Sequence, residues 1–133
     1  MLKKSIILVC LAIIAFFWVI DYATAADNLE GTYSVKGWNP GVNTNSEPYT
    51  GTVTIKKIGE VYQLTWLIAY QQHGGVGFYY EDTKRLVIAW SNLSQHYFGE
   101  VVYTLEGGAL NGIWTVYGDE TGSIGKEILT KQE

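Results

Sequence analysis

The feature that most constrains this chain is a two-residue period running through nearly everything after Asp27. Tyr62, Leu64, Trp66, Ile68 and Tyr70 fall on one face of an extended segment, with Gln63 and Thr65 on the other. Val53 and Ile55 alternate in the same way with Thr52, Thr54 and Lys56. This is the signature of a strand with one buried face. No window after Asp27 spaces apolar residues at helical intervals over several turns. Further alternating segments at 31–37, 74–81, 84–91, 99–106, 109–118 and 122–129 bring the total to eight. They are rich in β-branched and aromatic residues, which suit a pleated, half-buried surface.

The connections decide how eight strands assemble. Ile58-Gly59-Glu60, Glu81-Asp82-Thr83, Glu106-Gly107-Gly108 and Gly118-Asp119-Glu120 carry the Gly and Asp that tight reversals use. Only Trp38 to Pro48 and Asn92 to His96 read as longer links. Short reversals force antiparallel neighbours, because a parallel crossover needs roughly a dozen residues or more. The expected fold is all-β, an eight-stranded antiparallel up-and-down meander closing into a small barrel. A two-sheet sandwich or half-barrel is the alternative. An internal repeat points the same way. Shifting the chain by 48 residues places Tyr49, Gly51, Val53, Gly59, Trp66, Gly74 and Gly77 on Tyr97, Gly99, Val101, Gly107, Trp114, Gly122 and Gly125 without a gap. The two copies cover about 49–77 and 97–125.

The first 25 residues read differently. Lys3 and Lys4 precede an apolar run from Ile6 to Ile20, followed by Ala23-Thr24-Ala25. A basic start, an apolar middle and an A-x-A end describe a secretory signal peptide, expected as a helix over 1–25. An uncleaved membrane anchor is the alternative, although a spanning helix usually needs roughly 20 apolar residues. Cleavage would leave a single all-β domain at 26–133, without cysteine because Cys10 departs with the leader. Loss of Lys3, Lys4 and Asp21 turns the net charge of -4 into -5. The expected compartment is periplasmic or extracellular. An acidic balance without a basic stripe argues against nucleic-acid binding.

Chemistry is sparse. The only histidines, His73 and His96, fall in expected loops and show no metal-ligand spacing. Gly74-Gly75-Val76-Gly77 lacks the helix and Lys-Ser/Thr of a phosphate loop and reads as a bend. No nucleophile motif is present, so no enzyme activity, cofactor or metal is expected. Strict alternation requires either Lys126 or Glu127 to lean inward in the last strand, unless a bulge leaves the charge exposed. An inward charge would call for a partner such as Lys84 or Arg85. The aromatics remain. Tyr33, Tyr62, Trp66, Tyr70, Trp90, Tyr103 and Trp114 all fall on the apolar face. They either fill a narrow barrel or line an open mouth that holds an apolar or planar ligand. Trp38, on the long polar loop Trp38-Asn39-Pro40-Gly41, is a separate candidate for a lid or contact anchor. The candidate binding residues are therefore Trp38, Tyr62, Trp66, Trp90, Tyr103 and Trp114.

The order of these motifs resembles a known group. Gly31-x-Tyr33-x-Val35-x-Gly37-x-Asn39-Pro40 is followed by Tyr49-x-Gly51-x-Val53-x-Ile55 and Gly59-x-x-Tyr62-x-Leu64-x-Trp66. Ala89-Trp90-Ser91, Gly99-x-Val101-Val102-Tyr103, Gly112-x-Trp114-Thr115 and Gly125-x-Glu127-x-Leu129 continue the series. Over about 31–129 this is similar to small exported bacterial proteins commonly labelled fibronectin-binding proteins of the leptospiral type. It departs from them at Lys126, where Thr is usual, and in a longer 41–48 stretch. The resemblance implies an exported, non-enzymatic all-β binding protein, adhesin-like, whose partner is fibronectin or another matrix or envelope protein. The Leu110-x-Gly112-x-Trp114 strand is also similar to strands of avidin-like and lipocalin-like barrels. The alternative function is a carrier for a small apolar or aromatic ligand.

Overall fold

The computed structural model describes residues 25–133, so the expected leader lies, apart from Ala25, outside the described residues. Eight strands follow in order: β1 (Gly31–Trp38), β2 (Tyr49–Ile58), β3 (Val61–Ile68), β4 (Gln71–Tyr80), β5 (Arg85–Asn92), β6 (Tyr97–Glu106), β7 (Ala109–Trp114) and β8 (Gly125–Lys131). Each pairs antiparallel with its sequence neighbours, and β8 returns to β1 through pairs such as Val35↔Leu129. The sheet is a closed barrel, not a sandwich or half-barrel. Closure leaves no strand with an unpaired edge.

Alternation works as expected along most of the wall. Tyr33 and Val35 point inward from β1, Val53 and Ile55 from β2, Leu64 and Trp66 from β3, and all are buried. The segments 49–77 and 97–125 that align at a shift of 48 residues run through β2 and β3 into β4 and through β6 and β7 to the start of β8, on opposite walls of an eight-stranded cylinder. They share a backbone detail. A Cβ on Gly51 would overlap the Leu67 carbonyl oxygen, and one on Gly99 the Thr115 carbonyl oxygen, a pair displaced by the same 48 positions.

The barrel departs from the sequence expectations at three places around one of its ends. The β3 alternation does not run on to Tyr70. Ala69 and Tyr70 both take left-handed backbone angles, with φ of 49° and 64°, and form a two-residue hairpin reversal. Tyr70 is consequently fully exposed instead of buried. β4 therefore starts at Gln71, which places His73 in a strand and not in a loop. Finally, β7 stops at Trp114, and Thr115 to Ile124 form a third long link in place of a tight reversal at Gly118-Asp119-Glu120.

The two ends of the barrel differ. The turns at Gly59-Glu60, Glu81 to Lys84 and Gly107-Gly108 share one end with the incoming segment before β1. That segment closes the end. Leu29 is buried in the core and its carbonyl accepts a 2.8 Å hydrogen bond from the Tyr33 hydroxyl. Asp27 accepts from the Tyr79 hydroxyl at 2.6 Å and pairs with Lys84. The loops after β1, β3, β5 and β7 surround the other end, which is open.

Candidate ligand-binding cavity

The open end leads into a cavity of about 550 Å³. Its wall is built by Trp66 and Ile68 of β3, Trp90 of β5, Val101 and Tyr103 of β6, and Trp114 of β7. A volume of this size falls within the usual range of small-molecule sites. Trp90 stands edge-on to Trp114 at 5.8 Å between ring centroids, and His73 edge-on to Trp90 at 6.0 Å. Desolvation keeps the His73 imidazole below its ordinary pKa, so the ring is uncharged at neutral pH.

Several of these rings lie over glycines of a neighbouring strand. Tyr49 covers Gly37, Tyr103 covers Gly112, and Trp114 covers Gly125. The cross-strand pairs Gly37↔Tyr49, Tyr103↔Gly112 and Trp114↔Gly125 explain the arrangement. A ring beside a residue with no side chain can lie flat on the wall, which leaves the middle of the barrel open.

Glu127 stands at the inner limit of the cavity. β8 keeps its register without a bulge, so Gly125, Glu127 and Leu129 are buried while Lys126 and Ile128 face out. Glu127 is 5% exposed, yet among the described residues no lysine or arginine pairs with its carboxylate. Lys84, one of its two expected partners, pairs with Asp27 at the closed end; the other, Arg85, opens β5 at that same end. Three uncharged donors take the cation's place. Tyr103 donates to Oε1 at 2.6 Å, Trp66 Nε1 donates to Oε1 at 3.0 Å, and Tyr49 donates to Oε2 at 2.7 Å. These donors come from β6, β3 and β2, so the network braces the barrel across its interior. Burial pushes the Glu127 carboxyl above its ordinary range, while the three donors pull it back. The phenols of Tyr103 and Tyr49 are raised first by burial and then by Glu127, so both remain protonated donors.

This shift fixes a sign for stability against pH. With the folded pKa above the unfolded one, the folded state holds a proton that the unfolded chain has released. The contribution is therefore complete below the ordinary value of 4.5 and is lost as pH rises through the folded pKa. Urea unfolding across that window is expected to give a midpoint that falls with pH in the natural protein relative to Glu127→Gln. A difference between the two proteins that does not change with pH would contradict the raised carboxyl.

Four of the six sequence candidates meet here: Trp66, Trp90, Tyr103 and Trp114. The other two do not. Trp38 lies on the even-numbered, outward face of β1, and its Nε1 donates to the Ser46 carbonyl at 2.9 Å across its own loop. Tyr62 is buried near the closed end, edge-on to Tyr79 at 6.2 Å. The sequence reading missed Tyr49 and His73 as lining residues and noted Glu127 only as an awkward charge. Its position between inward Gly125 and Leu129 was the available signal. Among the described residues, no group of three or more His, Cys, Asp or Glu side chains converges to hold a metal ion.

The mouth itself is apolar at its tips. Val42, Tyr70, Leu93 and Tyr117 each project from a different mouth loop and are exposed. The turns at the closed end present glycine and charged residues instead.

No family model matches the chain, and no curated protein matches it. Solved structures do. The REP1-NXSQ fatty acid transporter superposes with a TM-score of 0.50 over 79% of this chain and 96% of its own, at 12% identity. Secretory abundant heat soluble protein 4 from Ramazzottius varieornatus gives a TM-score of 0.46 over 78% of this chain and 94% of its own, also at 12% identity. The likeness is one of fold.

Proposed function

We propose that this protein is an exported, non-enzymatic carrier that holds a small apolar or aromatic ligand inside its barrel. The observation that carries the reading is the cavity of about 550 Å³, open at one end and walled by Trp66, Trp90 and Trp114. A barrel whose only task was to be stable would gain by filling that space, because each void forfeits packing contacts. The apolar loop tips favour the same reading, since they offer a greasy rim to a ligand leaving water. Tyr70 is the telling member: its left-handed backbone is costly for a residue with a side chain, yet it sets an aromatic ring at the mouth. The shared fold with a fatty acid transporter agrees with carriage of an apolar molecule. Export rests on the signal-peptide pattern of residues 1–25.

The test uses the tryptophans as reporters. Titration with the neutral dye N-phenylnaphthylamine is expected to quench Trp66, Trp90 and Trp114 with saturation, and dodecanol is expected to displace the dye. Unchanged tryptophan emission at saturating dye would remove the proposal.

A protein partner, with fibronectin as the candidate from the sequence resemblance, is the second reading. One observation favours it. Phe78, Val87, Val102 and Ile113 are paired in register across β4 to β7 and make an outward apolar row, half-exposed at Phe78 and Ile113. Immobilised fibronectin capturing the natural protein but not Phe78→Ser/Ile113→Ser would support it, and equal capture of both would reject it.

A further inference from the structure

We infer that the cavity prefers a ligand whose polar end is a cation or hydrogen-bond donor, an aliphatic or aromatic amine, over one that ends in a carboxylate. This rests on the carrier reading and names its ligand class.

Charge inside the barrel is the first ground. Among the described residues, Glu127 is the one acid that lines the cavity, and no lysine or arginine lines it. Asn39, Gln71 and Gln95, the amide side chains that line the mouth, are uncharged. A carboxylate withdrawn from water without a counter-ion is costly, and three neutral donors offset only part of that cost. Oε1 accepts two hydrogen bonds, from Tyr103 and Trp66, whereas Oε2 accepts one, from Tyr49. Oε2 thus retains capacity for a further donor. An ammonium group delivered by the ligand would supply both the missing donor and the missing charge. A ligand carboxylate would set a second negative charge against Glu127 and force one of the two to take up a proton.

Charge around the mouth is the second, independent ground. The loops at 39–48, 69–70, 93–96 and 115–124 contain Glu47, Asp119 and Glu120 and no lysine or arginine. Hydrogen bonds from Thr121 hold Asp119 below the usual carboxylate range, so it stays ionised. Lys36 and Lys126, the cations on the strands bordering the long loops, are exposed on the outer face of the wall. Lys56, Lys57, Lys84, Arg85 and Lys131 flank the closed end. A cleft rimmed by one sign of charge raises the local concentration of the opposite sign. Here the field draws cations toward the opening and repels anions.

The experiment compares three ligands of equal chain length on the natural protein: dodecylamine, dodecanol and dodecanoate, each displacing N-phenylnaphthylamine at neutral pH. Dodecylamine is expected to bind about tenfold or more tightly than dodecanoate, with dodecanol between them. Glu127→Gln is expected to bring amine and acid within about threefold of each other. Because the ligand order is read on the natural protein, it stands even where the variant folds poorly. Dodecanoate binding as tightly as dodecylamine, with dodecanol also bound, overturns this inference and leaves the carrier reading standing. Failure of all three to bind overturns this inference, and unchanged tryptophan emission with the dye as well overturns both.

Discussion

Glu127→Leu is expected to lower the free energy of unfolding by about 3–5 kcal/mol, a large part of the roughly 5–15 kcal/mol typical of a small domain. Leucine fills most of the carboxylate's volume but accepts no hydrogen bond. It leaves the Tyr103 hydroxyl, the Trp66 Nε1–H and the Tyr49 hydroxyl without their acceptor. Each abandoned buried donor costs about 1–3 kcal/mol. Tyr49 borders the cavity and can turn to water there, which holds the sum below the maximum. Removal of the costly buried carboxylate offsets a further part. Urea denaturation measures the effect as a lower midpoint with an unchanged slope. Two controls give the cause. Glu127→Gln keeps an acceptor for Tyr103 and Trp66 and should lose no more than about 1.5 kcal/mol. The combined Glu127→Leu/Tyr49→Phe/Tyr103→Phe should recover part of the loss, because it removes two donors together with their acceptor. A Glu127→Leu protein within about 1 kcal/mol of the natural one would mean that the network contributes little.

That network also shows where sequence reading succeeds and where it stops. The barrel was legible because burial on one face repeats every second residue and the reversals are short, two local facts that together dictate an antiparallel meander and favour its closure over a sandwich or half-barrel. That one charge of the Lys126–Glu127 pair leans inward unless a bulge intervenes was legible for the same reason, but not which of the two; the unbroken register of β8 turns Glu127 in, on the face of Gly125 and Leu129. Its partners were not legible. Alternation assigns a side chain to a face but says nothing of its height along the barrel axis. Lys84 and Arg85 lie at the far end from the mouth, while Tyr49, Trp66 and Tyr103 come to the level of Glu127 only through the stagger of β2, β3 and β6. Height likewise separates Tyr62 from the cavity, although its face was read correctly. Trp38 is a plainer case: Tyr33, Val35 and Gly37 set the inward parity of β1, and an even-numbered neighbour cannot share it. The reversal at Ala69-Tyr70 escaped notice for a chemical reason. It adopts left-handed angles without the Gly or Asn that ordinarily announces them, so the alternation reads straight through it and leaves His73 outside its strand.

The glycines under the rings lead to the second large effect, a contrast between two substitutions that look alike in sequence. A methyl group on Gly77 would overlap the Val87 carbonyl oxygen. That oxygen belongs to the neighbouring strand of the β4–β5 ladder, and it cannot move without parting Gly77 from Ile88 and Phe78 from Val87. Gly77→Ala is therefore expected to cost about 3 kcal/mol or more, at the upper end of overpacking penalties. The three atoms nearest to a methyl group on Gly125 all belong to the Trp114 ring. A side chain can swing, and the open direction for this one is the cavity it lines. Gly125→Ala should cost about 1–2 kcal/mol in stability while weakening N-phenylnaphthylamine binding by about tenfold or more, because the indole occupies the ligand's space. Urea unfolding and dye titration on both variants separate the two effects: Gly77→Ala shows the larger drop in the unfolding midpoint, and Gly125→Ala keeps most of its stability but loses its cavity. If Gly125→Ala bound the dye as the natural protein does, Trp114 would have another place to go, and the wall of the cavity would not depend on the bare backbone beneath it.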